Sequence, residues 1–229
     1  MQNAADRIIV ALDVSSADEA LRLVKLLADR ISFFKIGLQL FTAAGPDLVR
    51  EVLAQGAKVF LDLKLHDIPN TVARAVESAG ALGVQMLTIH LSGGSEMISA
   101  AVAARSSGLA LLGVTVLTSL DDEALKKTGV SDSVSEQVMR LAGLGIAAGV
   151  DGLVASAHEL AALRAICGTE RKIVVPGIRP AQSAVADQKR TMTPRAAIAA
   201  GADYLVIGRP VSADADPAAA LRKIVDELV

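Results

Sequence analysis

A chain of 229 residues with 23 Lys and Arg against 25 Asp and Glu carries a formal charge of −2 at pH 7, which removes the basic footprint expected of a protein that binds nucleic acid or anionic lipid. Aromatic residues make up 2% of the chain, without Trp, so little is available on which to stack bases. Apolar residues at 52% with 21% charged exclude a disordered chain and are ample for a deep core.

No apolar run approaches the roughly 18 to 20 residues of a membrane helix. The first residues lack the basic region and cleavage site of a secretory signal. Cys167 is the single cysteine, which excludes an internal disulfide and a Cys-based zinc cluster. A cytoplasmic protein with no nucleic-acid partner and no membrane partner is expected.

Short runs rich in Val, Ile and Leu are expected as strands at 7–13, 32–37, 57–63, 84–90, 109–117, 151–155, 172–176 and 203–208. Between them apolar residues recur at helical spacing. Ala20, Leu23, Val24, Leu27 and Ala28 make one such stripe, and Leu221, Ile224, Val225, Leu228 and Val229 make another. Ser16, Ser133 and Ser156 each precede a Glu by three residues, the spacing of a capping box. Thr193-Pro194 and Asp216-Pro217 place a capping side chain before a proline at the first helical position.

Eight units in 229 residues give about 29 each, close to one strand plus one crossover helix. Continuous apolar strands between amphipathic helices imply a parallel sheet covered by helices. Eight of them suggest closure into an α/β fold, a single-domain (β/α)8 TIM barrel over 1–229. Such a barrel carries its chemistry at the C-terminal ends of the strands and often holds phosphate after the seventh and eighth. An open doubly wound sheet is the alternative, but no GxGxxG follows the first strand.

The polar residues fall where a barrel would use them. Asp13 closes the first strand, Lys35 lies in the second, Asp62 and Lys64 close the third, His90 closes the fourth and Thr118 follows the fifth. Side chains two apart on a strand share a face, so Asp62 and Lys64 point together into the barrel mouth, with Asp67 just beyond in the loop. A lone Asp-x-Lys on a strand is ordinarily a structural ion pair. Here Asp13 and Lys35 on adjacent strands extend it to an Asp, Lys, Asp, Lys array, and charges at such density are costly to bury unless function retains them. After the seventh and eighth strands, Gly177 and Gly208 allow close backbone approach to an anion, while Arg179 and Arg209 offer forks for phosphate oxygens. The polar stretch 178–191 is long for a barrel loop and is expected to be a mobile lid. His66, His90 and His158 lack metal-ligand spacing, and no metal site is expected.

Asp62-Leu-Lys64-Leu-His-Asp67-Ile-Pro, with Val-Ala-Leu-Asp13, Phe-Lys35-Ile-Gly, Pro-Gly-Ile-Arg179, Asp-Gln188-Lys-Arg and Ile-Gly-Arg209, closely resembles the bacterial orotidine 5′-monophosphate decarboxylase family. Leu91 stands where that pattern has Ala after the histidine. The resemblance implies a homodimeric barrel that converts orotidine 5′-monophosphate to uridine 5′-monophosphate and CO2 without a cofactor. It implies that Lys64 is the proton donor, that Asp62 lies beside the departing carboxylate, and that Asp67 completes the partner's site. It further implies that Asp13 and Lys35 hold the ribose hydroxyls and that Thr118 contacts the pyrimidine amide. Asn70 and Thr71 belong to the substrate-contacting segment, while Arg179, Gln188, Gly208 and Arg209 bind the phosphate. Within the same superfamily, a Mg²⁺-dependent decarboxylase keeps Asp-x-Lys-x-x-Asp but needs a carboxylate on the second strand, where this chain has Lys35. A Schiff-base lysine and a noncatalytic phosphate-ligand sensor are the remaining readings.

Overall fold

The computed structural model describes residues 4–179 and 192–228. Eight strands, β1 (Ile8–Ala11), β2 (Phe33–Gly37), β3 (Lys58–Leu65), β4 (Met86–His90), β5 (Ala110–Val114), β6 (Gly152–Val154), β7 (Lys172–Val175) and β8 (Tyr204–Ile207), pair in parallel in chain order, and β8 closes on β1. The described connections hold helices α1 (Ala17–Leu27), α2 (Leu38–Ala54), α3 (Pro69–Ala81), α4 (Gly94–Ala104), α5 (Asp122–Lys127), α6 (Val134–Ala148), α7 (Leu160–Cys167), α8 (Pro194–Ala199), α9 (Arg209–Ser212) and α10 (Pro217–Leu228). The (β/α)8 barrel expected from the sequence is formed. All eight strands lie where expected, most of them trimmed at the ends, while β3 runs two residues past Leu63. Among the described residues no helix is long and apolar enough to cross a membrane.

Two apolar clusters explain why the strands are apolar without a break. Ile8, Val10, Phe34, Ile36, Val59, Leu61, Leu87, Ile89, Leu111, Leu153, Ile173, Val175, Leu205 and Ile207 face outward and pack against the helices. The alternate residues Ile9, Phe33, Phe60, Met86, Leu112, Val114, Val154, Val174 and Val206 fill the barrel interior. With both faces buried, the period of two carries no change in polarity until a strand nears its end.

The helix starts largely follow the expected caps. Ser16 accepts from the Glu19 N–H, Thr193 from the Ala196 N–H and Asp216 from the Ala219 N–H, and Ser133 with Glu136 makes a full capping box. Ser156 departs from expectation. It accepts from the His158 N–H at the head of a 3₁₀ turn, Ala157–Glu159, so Glu159 is the N-cap of α7 and not its third residue.

The N-terminal end of the barrel repeats one device three times. Gln85, Asp151 and Asp203 immediately precede β4, β6 and β8, and each side chain accepts from the second N–H of the preceding strand. The bonds run from Val59 at 2.7 Å, Leu111 at 2.8 Å and Ile173 at 2.7 Å. Two residues earlier in each case stands a glycine at positive φ, Gly83, Gly149 or Gly201, which turns the chain from helix to strand. Arg105 pairs with Asp151 and donates to the Gly149 carbonyl, while Arg164 pairs with Asp203 and donates to the Gly201 carbonyl. These groups lie at the end of the barrel opposite the charged array, where they act on stability. Asp203→Ala should therefore lower unfolding stability by about 1–3 kcal/mol, since it strands the Ile173 N–H and leaves Arg164 without its carboxylate. The midpoint of urea unfolding measures this, and an unchanged midpoint contradicts it.

Candidate active site

The inward face of each strand, followed toward its C-terminal end, passes from apolar to polar in steps of two. Ile9 and Ala11 lead to Asp13, Phe33 leads to Lys35, Phe60 leads to Asp62, and Met86 leads to Thr88 and His90. The barrel's register brings these ends to one level: Lys35 lies opposite Ala11 and Phe60, and Asp62 opposite Gly37. Lys35 Nζ lies 3.3 Å from Asp13 Oδ1 and 3.7 Å from Asp62 Oδ2, and Lys64 Nζ lies 2.8 and 2.9 Å from the two Asp62 oxygens. The expected array of alternating charges is formed. Gly37 leaves room for it, since a Cβ there would lie 2.9 Å from Lys35 Nζ.

Strand alternation alone does not account for Lys64. Between β3 and β4 the pairing runs Leu61 with Leu87 and then Leu65 with Ile89, so Asp62, Leu63 and Lys64 together face the single residue Thr88. Lys64 has φ +51, and no other described non-glycine residue has a positive φ. Thr88, fully buried, fills the gap left in the ladder: its hydroxyl donates to Asp62 Oδ1 at 2.9 Å and accepts from the Lys64 N–H at 2.9 Å. Sequence reasoning did not single out Thr88. The available signal was a hydroxyl in an apolar strand, on the inward register between Met86 and His90.

Side chains of Lys35 and Asp62 are 12% and 13% exposed and that of Lys64 is 35% exposed. Burial pushes the Asp62 carboxyl up. The Lys64 and Lys35 ammoniums, with hydrogen bonds from Lys64 and Thr88, more than offset it and hold the group below the usual carboxylate range. His90 packs its ring 5.5 Å from that of His66. Burial lowers the His90 pKa, helped by His66 and Lys64 and opposed by Asp62.

The array forms one wall of a cavity of about 320 Å³ at the C-terminal mouth of the barrel. Phe60, Val114, Val154 and Val206 make its floor and sides. Arg179 and Arg209, with Gly177 and Gly208, line the cavity beyond β7 and β8. Thr118 lines it as well, four residues past the end of β5. Gly208 is packed against Asp13, whose Oδ2 would lie 2.5 Å from an added Cβ. This volume suits a small organic ligand, and the lining offers positive charge at two separated places.

Of the expected site residues, Asp13, Lys35, Asp62, Lys64, Thr118, Arg179, Gly208 and Arg209 therefore converge on one cavity. Asp67, Asn70 and Thr71 are exposed and do not line it; Asp67 accepts from the Ile68 N–H at 2.7 Å at the approach to α3. Gln188 lies outside the described residues, as does the expected lid, 178–191, apart from Ile178 and Arg179. Ile178 and Met192 form a bridge across that interval. Among the described residues no three His, Cys, Asp or Glu side chains gather to hold a metal ion, and the space between Asp13 and Asp62 is spanned by the Lys35 amine.

The depressed Asp62 pKa makes a contribution to stability with a definite sign. Ionised Asp62 stabilises the fold above its unfolded value of about 3.9, and this is lost as pH falls through the lower folded value. Below about pH 4 the wild-type protein should lose stability more steeply than Asp62→Asn, as read from urea midpoints against pH. Parallel acid limbs would contradict the ion-pair assignment.

A family model described as "Orotidine 5'-phosphate decarboxylase / HUMPS family" matches residues 6–224. A protein of Moorella thermoacetica named orotidine 5′-phosphate decarboxylase is 51% identical over 235 residues, covering 99% of this chain and 93% of the relative. One of the same name from Rhodopseudomonas palustris is 53% identical over 224 residues, covering 97% and 94%. The solved structure of orotidine 5′-phosphate decarboxylase from Lactobacillus acidophilus superposes with a TM-score of 0.85 at 36% identity, covering 97% of this chain and 99% of that one.

Proposed function

Because the chain belongs to the orotidine 5′-phosphate decarboxylase / HUMPS family, we propose that it converts orotidine 5′-monophosphate to uridine 5′-monophosphate and CO2, the step that completes UMP synthesis. The observation that carries this reading is the Lys64 ammonium, bonded to both Asp62 oxygens on the wall of a cavity that also presents Arg179 and Arg209.

Loss of CO2 from the pyrimidine leaves an electron pair in the plane of the ring, orthogonal to the π system, so neither ring carbonyl absorbs it by resonance. Positive charge has to be supplied from outside the ring. Lys64 supplies it, stabilising the carbanion as it forms and delivering a proton to the same carbon. Asp62 orients the ammonium and faces the departing carboxylate. Two like charges about 4 Å apart repel by roughly 4 kcal/mol at an effective dielectric near 20, only part of a large barrier reduction. Stabilisation by the preorganised ammonium supplies most of the rest, supported by binding energy from the phosphate end.

Asp13 and Lys35 take the ribose hydroxyls, Thr118 the pyrimidine amide, and Arg179, Gln188, Gly208 and Arg209 the phosphate. Asn70 and Thr71 belong to the substrate-contacting segment, and Asp67 completes the site of a second copy in a homodimer. This is supported by the exposure of Asp67 outside its own cavity and by the neighbouring Ile68, 67% exposed, and Leu38, 63% exposed, an apolar rim suited to burial against a partner. Lys35 disfavours the Mg²⁺-dependent alternative, because an ammonium 3.3 and 3.7 Å from the two nearest carboxylates repels a divalent cation from them.

Orotidine 5′-monophosphate added to chelator-treated protein should lose its orotate absorbance at an undiminished rate, and Lys64→Ala should reduce that rate by at least about 10²–10³-fold. Turnover that appears only on adding Mg²⁺ would instead favour the metal-dependent reading. A mixture of Asp67→Ala and Lys64→Ala subunits, each nearly inactive alone, should regain activity after exchange, because one hybrid site recovers both groups. Failure to regain it would argue for a site contained in one chain.

A further inference from the structure

We propose that Thr88 is a positioning residue for the reaction: its hydroxyl ties the Asp62 carboxylate to the Lys64 backbone across the β3–β4 slip and thereby holds the Lys64 ammonium facing the cavity. This rests on the decarboxylase reading above.

Thr88 does not line the cavity and is fully buried, so any effect it has on turnover passes through its neighbours. Those neighbours are the two residues at the centre of the site. Asp62 Oδ1 lies 2.8 Å from Lys64 Nζ and 2.9 Å from Thr88 Oγ1, and Lys35 Nζ approaches the other oxygen at 3.7 Å. The hydroxyl thus fixes the carboxylate from its buried side while the two ammoniums hold it from the cavity side. The threonine Oγ1 also accepts from the Lys64 N–H at 2.9 Å. That bond matters because Lys64 occupies left-handed backbone, which is unfavourable for a residue with a side chain and persists only when its surroundings compensate. Where β3 carries three residues against one, no strand partner is left to receive this N–H, and the threonine hydroxyl stands in for the carbonyl of a regular ladder. One side chain therefore constrains both ends of Lys64, its backbone directly and its ammonium through Asp62.

Thr88→Val keeps the shape and removes both bonds, whereas Thr88→Ser keeps the hydroxyl and removes a methyl. Displacement of a reacting group by about 1 Å costs on the order of 100-fold in rate, so Thr88→Val should lower kcat by about 10- to 100-fold on orotidine 5′-monophosphate. KM should stay within about threefold, since the phosphate contacts are untouched. Thr88→Ser should retain at least about a third of the wild-type kcat. A kcat for Thr88→Val within threefold of wild type, or an equal loss in Thr88→Ser, would overturn the proposal; the second outcome would mean that packing of the methyl matters and the hydroxyl does not. If Thr88→Val does not fold, as judged by its urea unfolding curve, Thr88→Cys replaces it as a poor donor of similar size, with the same two criteria. A wild-type protein inactive on orotidine 5′-monophosphate would overturn the decarboxylase reading along with the proposal, while an active wild type with an equally active Thr88→Val overturns only the role of Thr88.

Discussion

Lys64 and Asp62 are held against each other in a wall of the cavity where burial by itself works against the carboxylate. Removing two charges from water costs several kcal/mol per ion, and one attraction in a partly wet site returns only about that much. A bare pair would gain little. The carboxylate therefore carries Lys35 on one oxygen and Thr88 on the other, and Lys35 in turn leans on Asp13. Around these partners β3 slips against β4 and Lys64 has a left-handed backbone.

The barrel separates this arrangement from its own foundations. At the N-terminal end, Gln85, Asp151 and Asp203 join adjacent strands through side-chain acceptors, reinforced by Arg105 and Arg164, and none of these residues lines the cavity. Just past the end of β4, Leu91 packs into room left by glycines of other elements. It is fully buried over Gly113 and Gly145, where an added Cβ would lie 2.6 and 2.9 Å from its side chain. The space that a larger residue needs after His90 is provided by glycines on β5 and α6, far away in the chain.

The sign of one charge sets the character of this wall. A carboxylate on β2 would make, with its neighbours, an anionic nest for a divalent ion. Lys35 makes the wall alternate in sign, with its ammonium between Asp13 and Asp62.

Much of this was legible in the residues. Strand and helix positions follow from periodicity, because burying both strand faces and one stripe of each helix leaves few alternatives. The charged members of the cavity in or just beyond the strands, Asp13, Lys35, Asp62, Arg179 and Arg209, stand out because charge interrupts or follows apolar runs there. Ser156 misled because capping-box spacing is also compatible with a 3₁₀ turn, and only the packing of Glu159 decides between them. Thr88 and the slip it bridges were hidden, since a hydroxyl in a strand is ordinary until its partner across the sheet is known. The sequence by itself determined which residue types lie on which face and in what order the strands come, for these are properties of local spacing. Only the tertiary structure decided that Lys64 turns against strand geometry and that Asp67 stands clear of its own cavity, for both depend on register between segments that the chain does not place side by side.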